Sequence, residues 1–389
     1  MLEKIPPREQ AGRDAITAFS AQFKAAGYAA LEILDGGEVS VVYCDYHDDY
    51  VVKLVSATDQ QFRFSQVKYK VKRNHQWKPL DLFGTPLRGK INFDAVKNSF
   101  GVKMLEHVRN FGDQCEDIIL ETNVHFHDQI ETLCELISKG DISYREMTLY
   151  KNIRHAFIEH FCDGVFDSHV TCFCVEKFLS LLRLRPACTY LNEDDGNFEL
   201  FAGKRIYQYS EVPLSEKEKE GIAKSLIELV RSKSVGRIHE KITVDELNKL
   251  AGIKLDDLLS ILSISKAAYK TLAAGGDKKA IRNTSILQRV LGDWGCSNES
   301  IVYCCEAKSN WDDWLRVNRH DLSPLDTNFL MDRLQRTIGV LKRSAAPFPQ
   351  LQVEIEEIFN VLNQDYKNRE ITREILFGGV MASIVRLEL

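Results

Sequence analysis

The chain lacks the features that would place it outside ordinary globular proteins. None of its ten cysteines forms a C-x-x-C pair, it has no internal repeat or low-complexity tract, and its apolar runs are too short to cross a bilayer. These absences argue against a zinc site and against a membrane protein. The charged, proline-bearing start "MLEKIPPREQ" has no apolar core of a secretion signal, so we expect a cytoplasmic protein with reduced thiols.

The chain has no net excess of positive charge, with 51 Lys and Arg residues against 56 Asp and Glu. Its net charge of -5 argues against a generally basic coat protein for nucleic acid, so a site for polyanions has to be a local patch. A length of 389 residues exceeds the usual size of one hydrophobic core, and we expect two domains. The composition turns polar at "NEDDGN" (192–197) and "SEVPLSEKEKE" (210–220), so the predicted domains are residues 1–210 and 211–389.

Apolar spacing in the first predicted domain alternates between the helical and the extended pattern. It predicts an α/β (α+β) domain with helices at 14–34, 92–111, 128–138 and 143–162 and strands at 38–44, 50–56, 62–70 and 116–124. In the less certain segment 170–184, we expect Cys172 and Cys174 to lie on a buried apolar strand.

The second predicted domain is mostly α-helical in its pattern. Its clearest helix is expected at 243–264, where Thr243 and Glu246 match the S/T-x-x-E signature of a helix start. The apolar run at 375–385 predicts a helix that packs on a core or on a partner.

The segment "FSQVKYK" (64–70) places an amide and an ammonium on one face of a predicted strand. Gln66 and Lys68 are two residues apart, and alternate side chains of a strand point the same way. If strands 50–56 and 62–70 form a hairpin, facing residues have numbers that sum to roughly 117 or 118. Asp49 then lies across from Lys68 or its neighbour, and the three side chains meet at one end of the sheet.

An acid, an amide and a lysine in this layout are typical of a PD-(D/E)XK nuclease site. Oxygen ligands hold Mg²⁺, or alternatively Mn²⁺, while the lysine orients or deprotonates the attacking water. Because Gln66 adds no charge, Asp45, Asp48 or Asp49 must supply most of the anionic field. The alternative is a solvated acidic turn beside a lysine that points to water.

Two further side chains are candidates for a supporting role. His47 lies between acids and is either a ligand or base, or a residue that hydrogen-bonds locally. Gln22 and Glu32 fall on the first predicted helix, and either could complete the site, although Glu32 also suits a solvated helix face.

A basic segment follows Lys68. Residues 63–90 contain eight Lys or Arg and one acid, Asp81, a local charge of +7 in a chain of -5. Such a contrast indicates a contact with phosphates, with aromatic rings that stack on bases or wedge between them, unless the segment is only a solvated loop. The predicted DNA-binding residues are Lys70, Lys72, Arg73, His75, Trp77, Lys78 and Arg88.

The stretches "VYCDYHDDYVV" (42–52), "QVKYK" (66–70), "NHQW" (74–77) and "DLFG" (81–84) carry a family resemblance. They resemble the double-stranded-DNA endonuclease domain of CD-NTase-associated effectors from the CBASS anti-phage systems, related domains of which occur beside a HerA-type hexameric ATPase. The resemblance covers about residues 10–130. It implies a restriction-endonuclease-like fold, Mg²⁺-dependent cleavage of duplex DNA and a role in anti-phage defence.

Position by position, the resemblance extends to the acid run, the QxK pair and a first-helix glutamine. Tyr69 departs from it, because a small hydroxyl residue is expected there. The matching residues of this sequence are Gln22, Asp45, Asp48, Asp49, Gln66 and Lys68.

The second predicted domain differs from the mixed α/β nucleotide-sensing domain of the CBASS effectors. Since residues 220–389 read as helices, we expect control by a partner, a HerA-type ATPase first, and assembly into homo-oligomers. The leading hypothesis is a metal-dependent DNA endonuclease. The alternatives are a nuclease that acts on single-stranded DNA or RNA, and a non-cutting DNA-binding adaptor or scaffold.

Overall fold

The computed structural model describes most of the chain, in two compact units. The first unit contains the described residues up to Ala202 together with Ala223–Leu255, and the second contains those of Gly203–Ile222 and those from Asp256 onward. The sequence suggested a single boundary, between residues 210 and 211. That the first part is the nuclease and that the second forms oligomers or binds a partner stay predictions. The described residues are 10–35, 37–55, 60–161, 168–193, 196–210, 216–239, 241–262, 264–277, 279–318, 324–344, 347–365 and 371–387.

A mixed sheet forms the centre of the first unit. In the described residues, its six strands lie in the order β7-β5-β3-β2-β1-β8, and the short strands β4 and β6 pair separately. Neighbours β8, β1, β2 and β3 are antiparallel, whereas β3, β5 and β7 run parallel. The strands are β1 (Val39–Tyr46), β2 (Asp48–Val55), β3 (Gln60–Lys68), β4 (Gln76–Trp77), β5 (Cys115–Thr122), β6 (His125–Phe126), β7 (Leu182–Arg185) and β8 (Gly252–Ile253).

Helices surround this sheet. Phe64 of β3 and Ile118 of β5 are buried with helix residues such as Phe157 and Phe178 in one core, which fixes the sheet between its covering helices. The helices of the first unit are α1 (Gln10–Ala30), α2 (Pro79–Phe83), α3 (Phe93–Lys97), α4 (Phe100–Phe111), α5 (Asp128–Ser138), α6 (Thr148–Phe161), α7 (Ser168–Leu181) and α10 (Val244–Leu250), and the unit boundaries divide α8 (Asn197–Ser210) and α9 (Glu216–Lys233).

Local capping explains why the predicted helix 92–111 is two helices. Asn92 accepts a hydrogen bond from the Asp94 N–H and starts α3, and Ser99 accepts one from the Val102 N–H and starts α4. The second start sets the direction of α4, which brings its residues to the candidate site.

Two predictions about local structure are wrong. Cys172 and Cys174 lie on helix α7, not on a buried strand, because Val175, Phe178 and Leu179 provide the helical spacing that buries it. The predicted helix 243–264 breaks into α10 and a later helix, because Gly252 and Ile253 pair with β1 at the edge of the sheet. The capping pair Thr243 and Glu246 is confirmed.

The second unit is helical throughout its described residues. Helix α17 approaches its neighbours closely: a Cβ on Gly378 would lie 1.9 Å from the Ala307 carbonyl oxygen, and one on Gly379 would lie 2.8 Å from Leu334 Cδ1. The apolar run 375–385 is therefore a helix packed on a core, as expected. The helices of this part are α11 (Leu255–Ile261), α12 (Lys266–Ala274), α13 (Ala280–Asp293), α14 (Asn298–Asn318), α15 (Pro324–Leu341), α16 (Pro347–Asp365) and α17 (Arg373–Leu387).

The fold class is thus α+β with a mixed sheet and a helical C-terminal region, which confirms the general expectation. The more specific restriction-endonuclease-like fold stays a prediction. Among the described helices, none has both the length and the apolarity that a bilayer crossing requires.

Candidate functional site

The candidate site lies where strands β2 and β3 separate. Their last pair toward this end is Tyr50 with Ser65, whereas β3 continues beside β5 as far as Lys68 opposite Thr122. The carboxylate of Asp49 takes the place of the missing strand partner, since its Oδ2 accepts a hydrogen bond of 2.6 Å from the Val67 N–H. A buried backbone donor is thereby satisfied by a side chain instead of a neighbouring strand.

The expected sums of 117 or 118 for facing residues of this hairpin were wrong, the nearer one by two. Facing residues sum to 115, as in Tyr50 with Ser65 and Val55 with Gln60, so Asp49 falls opposite Gln66 and not Lys68. A shift of two leaves the same side chains on the same face of a strand. The expected meeting of Asp49 and Gln66 at one end of the sheet is therefore observed despite the error.

Two glutamine amides bind the Asp49 carboxylate. Gln22 of α1 donates from Nε2 to Oδ1 at 2.7 Å, and Gln66 of β3 donates from Nε2 to Oδ2 at 2.9 Å. Burial raises the pKa of Asp49, against the opposing effects of the Lys68 charge and of the hydrogen bonds from Gln66 and Val67. The structure thus brings Gln22 to the site, while Glu32 forms an ion pair with Arg63 at 3.2 Å.

Lys68 is held in an apolar environment beside these groups. Its Nζ lies 4.2 Å from the centre of the Phe100 ring, at the start of α4. Burial lowers the pKa of Lys68, against the raising effect of Asp49 and Asp48, and the charge of Lys103 lowers it further. Burial thus raises the pKa of the aspartate and lowers that of the lysine, and perturbed pKa values of this kind cluster at functional sites.

Asp48 points to a partner that the sequence did not suggest. Its Oδ2 lies 3.0 Å from His107 Nε2 of α4, and its Oδ1 accepts the Asp49 N–H at 3.0 Å. The His107 ring stacks on Phe64, with 4.2 Å between ring centres. The only sequence signal was a histidine on the apolar stripe of a predicted helix, three residues after Met104 and four before Phe111.

The turn between β1 and β2 carries Asp45 and His47 in left-handed backbone conformations, with φ of 49° and 64°. Asp45 is exposed and lines a cavity of about 290 Å³ together with Asp49 and Gln22. The His47 ring packs 4.4 Å from Tyr46 and 5.3 Å from Phe111, and burial followed by the charge of His107 lowers the pKa of His47. Contacts with Tyr46 and Phe111 thus account for the position of the His47 ring.

A buried network supports the site from β5. Glu121 is fully buried and accepts hydrogen bonds from the hydroxyl groups of Tyr50 and Tyr190, the latter at 2.7 Å, and from Arg185 at 2.8 Å. Since Tyr50 follows Asp49 directly, this network fixes the backbone that carries the carboxylate. Sequence reasoning missed it, although an acid directly after the apolar run "IIL" (118–120) of the predicted strand was a signal.

The basic segment is only partly available to a ligand. Trp77 is 6% exposed, donates from Nε1 to Thr122 Oγ1 at 2.9 Å and carries the Lys70 ammonium over its ring at 4.4 Å. A ring buried to this degree cannot stack on a base, so that role is wrong for Trp77. His75 is half-buried against the Trp77 ring at 5.6 Å. The exposed members of the segment are Lys72, Arg73, Lys78 and Arg88.

The donor atoms at Asp49 suit a hard divalent cation in type. Both glutamines turn nitrogen to the carboxylate here, and a half turn of each amide would present oxygen instead without changing the shape of the site. Within the described ranges, no three histidine, cysteine, aspartate or glutamate side chains form a metal-binding cluster. A cation at this position therefore depends on amide oxygens as well as on Asp49 and Asp45.

Comparison with known proteins gives only distant structural likeness. No family model and no curated protein matches the chain. The Acinetobacter baumannii Cap4 SAVED/CARF-domain containing receptor with the cyclic trinucleotide 3'3'3'-cAAA matches with a TM-score of 0.37 and 11% identity, over 63% of this chain and 44% of the receptor. The Moraxella osloensis Cap4 SAVED/CARF-domain containing receptor gives 0.36 and 11%, over 68% and 49%.

The chain therefore spans about half the length of each of these two receptors. Likeness at this level assigns neither a family nor a function to this chain.

Proposed function

We propose that the chain is a metal-dependent endonuclease that hydrolyses phosphodiester bonds of double-stranded DNA. The observation that carries the proposal is the convergence of Asp49, Gln66 and the half-buried Lys68 at the point where β2 and β3 separate. A carboxylate and an ammonium with pKa values shifted toward each other are suited to phosphoryl chemistry.

Each residue has a distinct task in this proposal. Asp49, with Gln66 and Asp45 as further oxygen donors, would hold Mg²⁺ or Mn²⁺, and Gln22 would hold Asp49 in place. Asp48, whose oxygens bind His107 and the Asp49 N–H, would stay outside the set of ligands. Such an ion, when bound, neutralises charge on a phosphate and lowers the pKa of a bound water.

Lys68 would act on the reacting groups directly. Its ammonium, which lies over the Phe100 ring, would orient water or stabilise negative charge on the phosphate, and its lowered pKa would ease the exchange of a proton. The exposed basic residues of the segment would position the DNA through its phosphates; they are Lys72, Arg73, Lys78 and Arg88. The half-buried Lys70 and His75 would contribute with their exposed atoms.

The biological role follows from the resemblance over residues 10–130. We propose a cytoplasmic effector of anti-phage defence that assembles as an oligomer and is controlled by a HerA-type ATPase. The helical second unit supports this assignment, because its described residues contain no strand from which a mixed α/β sensor could be built. A nuclease without sequence preference is toxic to its host, so control by assembly is physically reasonable.

The test is incubation of the protein with supercoiled plasmid, linear duplex, single-stranded DNA and RNA. Each substrate is offered with Mg²⁺, Mn²⁺ or EDTA, with and without a candidate HerA-type ATPase. We expect nicking or linearisation of duplex DNA that needs the metal and is lost in Asp49→Ala. Intact duplex under every condition would overturn the proposal, and cleavage confined to single strands or RNA would change the substrate.

A second candidate, a DNA-binding adaptor that does not cut, is favoured by one observation. Gln66 occupies a position where an acid would strengthen metal binding, and both amides donate to Asp49 in the present arrangement. The adaptor predicts salt-sensitive binding of DNA that stays intact with either metal and with the ATPase. A scaffold would show no salt-sensitive binding at all.

A further inference from the structure

A second cavity opens on the other side of the turn between β1 and β2. It measures about 600 Å³, within the range of ligand pockets, and one wall is the turn itself with Asp45, Tyr46 and His47. The opposite wall is the segment Lys233–His239, which follows α9 and belongs to the same compact unit. We call this space the turn cavity. Asp45, Ser234 and Val235 line both it and the smaller cavity that contains Asp49, so the two cavities are contiguous.

The wall formed by 233–239 is basic. Lys233 is anchored by donation from Nζ to the Lys249 carbonyl oxygen at 2.9 Å, which keeps its charge at the cavity. Arg237 is exposed, and with the described part of the chain its guanidinium forms neither a hydrogen bond nor an ion pair. An exposed guanidinium at a cavity mouth is a ready donor to a phosphate, which it can bind through two nitrogens.

The facing wall is strained in a way that suits a binding role. Among the described non-glycine residues, positive φ occurs at Asp45, His47 and Ala187, and two of these three belong to the turn. Glycine would adopt this backbone without cost, whereas Asp45 and His47 place a carboxylate and an imidazole on the wall of the cavity. The exposed His47, beside the Tyr46 ring, offers an aromatic surface on which a base can stack.

We infer that the turn cavity is a subsite for one nucleotide of the DNA strand that is cut, with its phosphate on Arg237 and Lys233 and its base against His47. This inference rests on the proposed function, which it extends to a contact that the basic segment 63–90 does not provide. The adjoining phosphate of the same strand would then lie on the Asp45 side, toward Asp49.

The test measures DNA binding apart from cleavage. Fluorescence anisotropy of a labelled duplex in EDTA is recorded across a salt series for wild type, Arg237→Ala and Arg237→Lys. The matched control is Arg231→Ala, which removes one positive charge from α9 outside the cavity, where Arg231 pairs with Glu228 at 3.7 Å. We expect Arg237→Ala to bind about fivefold more weakly and to reduce the salt slope by about 1. Arg237→Lys and Arg231→Ala should keep the wild-type slope.

Two outcomes would overturn the inference and are distinguishable. In the first, the wild type binds and cuts DNA, and Arg237→Ala and Arg231→Ala match it in affinity and in salt slope. This result would overturn the subsite but not the proposed nuclease activity. Wild type that neither binds nor cuts DNA would remove both. Arg237 is exposed, so the variant should fold, and an unchanged thermal transition checks this.

Discussion

His107 Nε2 and Asp48 Oδ2 lie 3.0 Å apart, and this contact ties the start of β2 to helix α4. The next residue, Asp49, instead binds Gln22 of α1 and the backbone of β3. Two adjacent carboxylates thus connect different elements at one end of the sheet. Because α4 also carries Phe100 over Lys68, the His107 contact helps to place the cover of the candidate catalytic lysine.

The contact between His107 and Asp48 should be measurable as a coupling energy. Both side chains are nearly buried, with 10% and 8% exposed, and a hydrogen bond to a charged group is worth about 1.5–3 kcal/mol. We expect a double-mutant cycle of His107→Ala and Asp48→Ala to give about 1–3 kcal/mol from urea unfolding. The exposed His155 of α6 provides the control, since His155→Ala with Asp48→Ala should be additive. Additivity of the His107 pair would contradict the contact.

Burial of the Asp49 charge should make the site a source of instability. The pKa of Asp49 is higher in the folded protein than its value of 3.8 in the unfolded chain. Protonation of Asp49 therefore stabilises the fold below pH 3.8, and this stabilisation is lost as pH rises through the pKa of the folded protein. Asp49→Asn should therefore gain stability relative to wild type as pH rises from acid to neutral. Thermal unfolding between pH 4 and pH 7 measures this, and a gain that falls with pH would contradict the burial.

Relief of the strained turn should separate stability from function. Glycine at position 47 adopts a φ of 64° freely, so we expect His47→Gly to stabilise the fold by up to about 1 kcal/mol while weakening DNA binding and cleavage. Ala187→Gly is the control, because Ala187 has a φ of 51° away from the turn. It should gain similar stability with activity unchanged. Equal activity of the two variants would leave His47 without a role.

Close packing of α17 should make Gly378 sensitive to a single methyl group. A Cβ there would collide with the Ala307 carbonyl oxygen, whereas one on Gly339 of α15 would meet nothing within 4 Å. We expect Gly378→Ala to cost about 3 kcal/mol or more and Gly339→Ala to gain about 0.5–1 kcal/mol in urea unfolding. A tolerated Gly378→Ala would mean that the two helices are farther apart.

The sequence alone predicted the structure correctly where the alternation of side chains along a strand or a helix-capping residue determines it. The spacing of Gln66 and Lys68, with the acid run before the preceding strand, indicated the meeting at Asp49 even though the register differed by two residues. Parity of the pairing, and not its register, decides which side chains share a face. The start of α10 at Thr243 followed in the same way from its capping pair.

The rest of the site depends on contacts between distant segments. Asp48 meets His107 across 59 residues, and Asp45 shares a cavity with residues near Arg237, almost two hundred positions later. Periodicity carries no information about such pairs. For the same reason Trp77 was taken for an exposed ring, because its partner Thr122 belongs to another strand. Local β-propensity likewise predicted a strand at Cys172, where the spacing of buried residues around it forms a helix.

The central claim is that Lys68 acts in hydrolysis and not in DNA binding or folding. The most direct measurement is the single-turnover rate of duplex cleavage with Mg²⁺ for wild type and Lys68→Met, alongside duplex affinity in EDTA and thermal stability. We predict a rate lowered by about 10²–10⁴-fold, with affinity and stability at or above wild-type values, because methionine keeps the contact with Phe100 and removes a buried charge. A Lys68→Met variant that cuts duplex DNA at the wild-type rate would contradict the account.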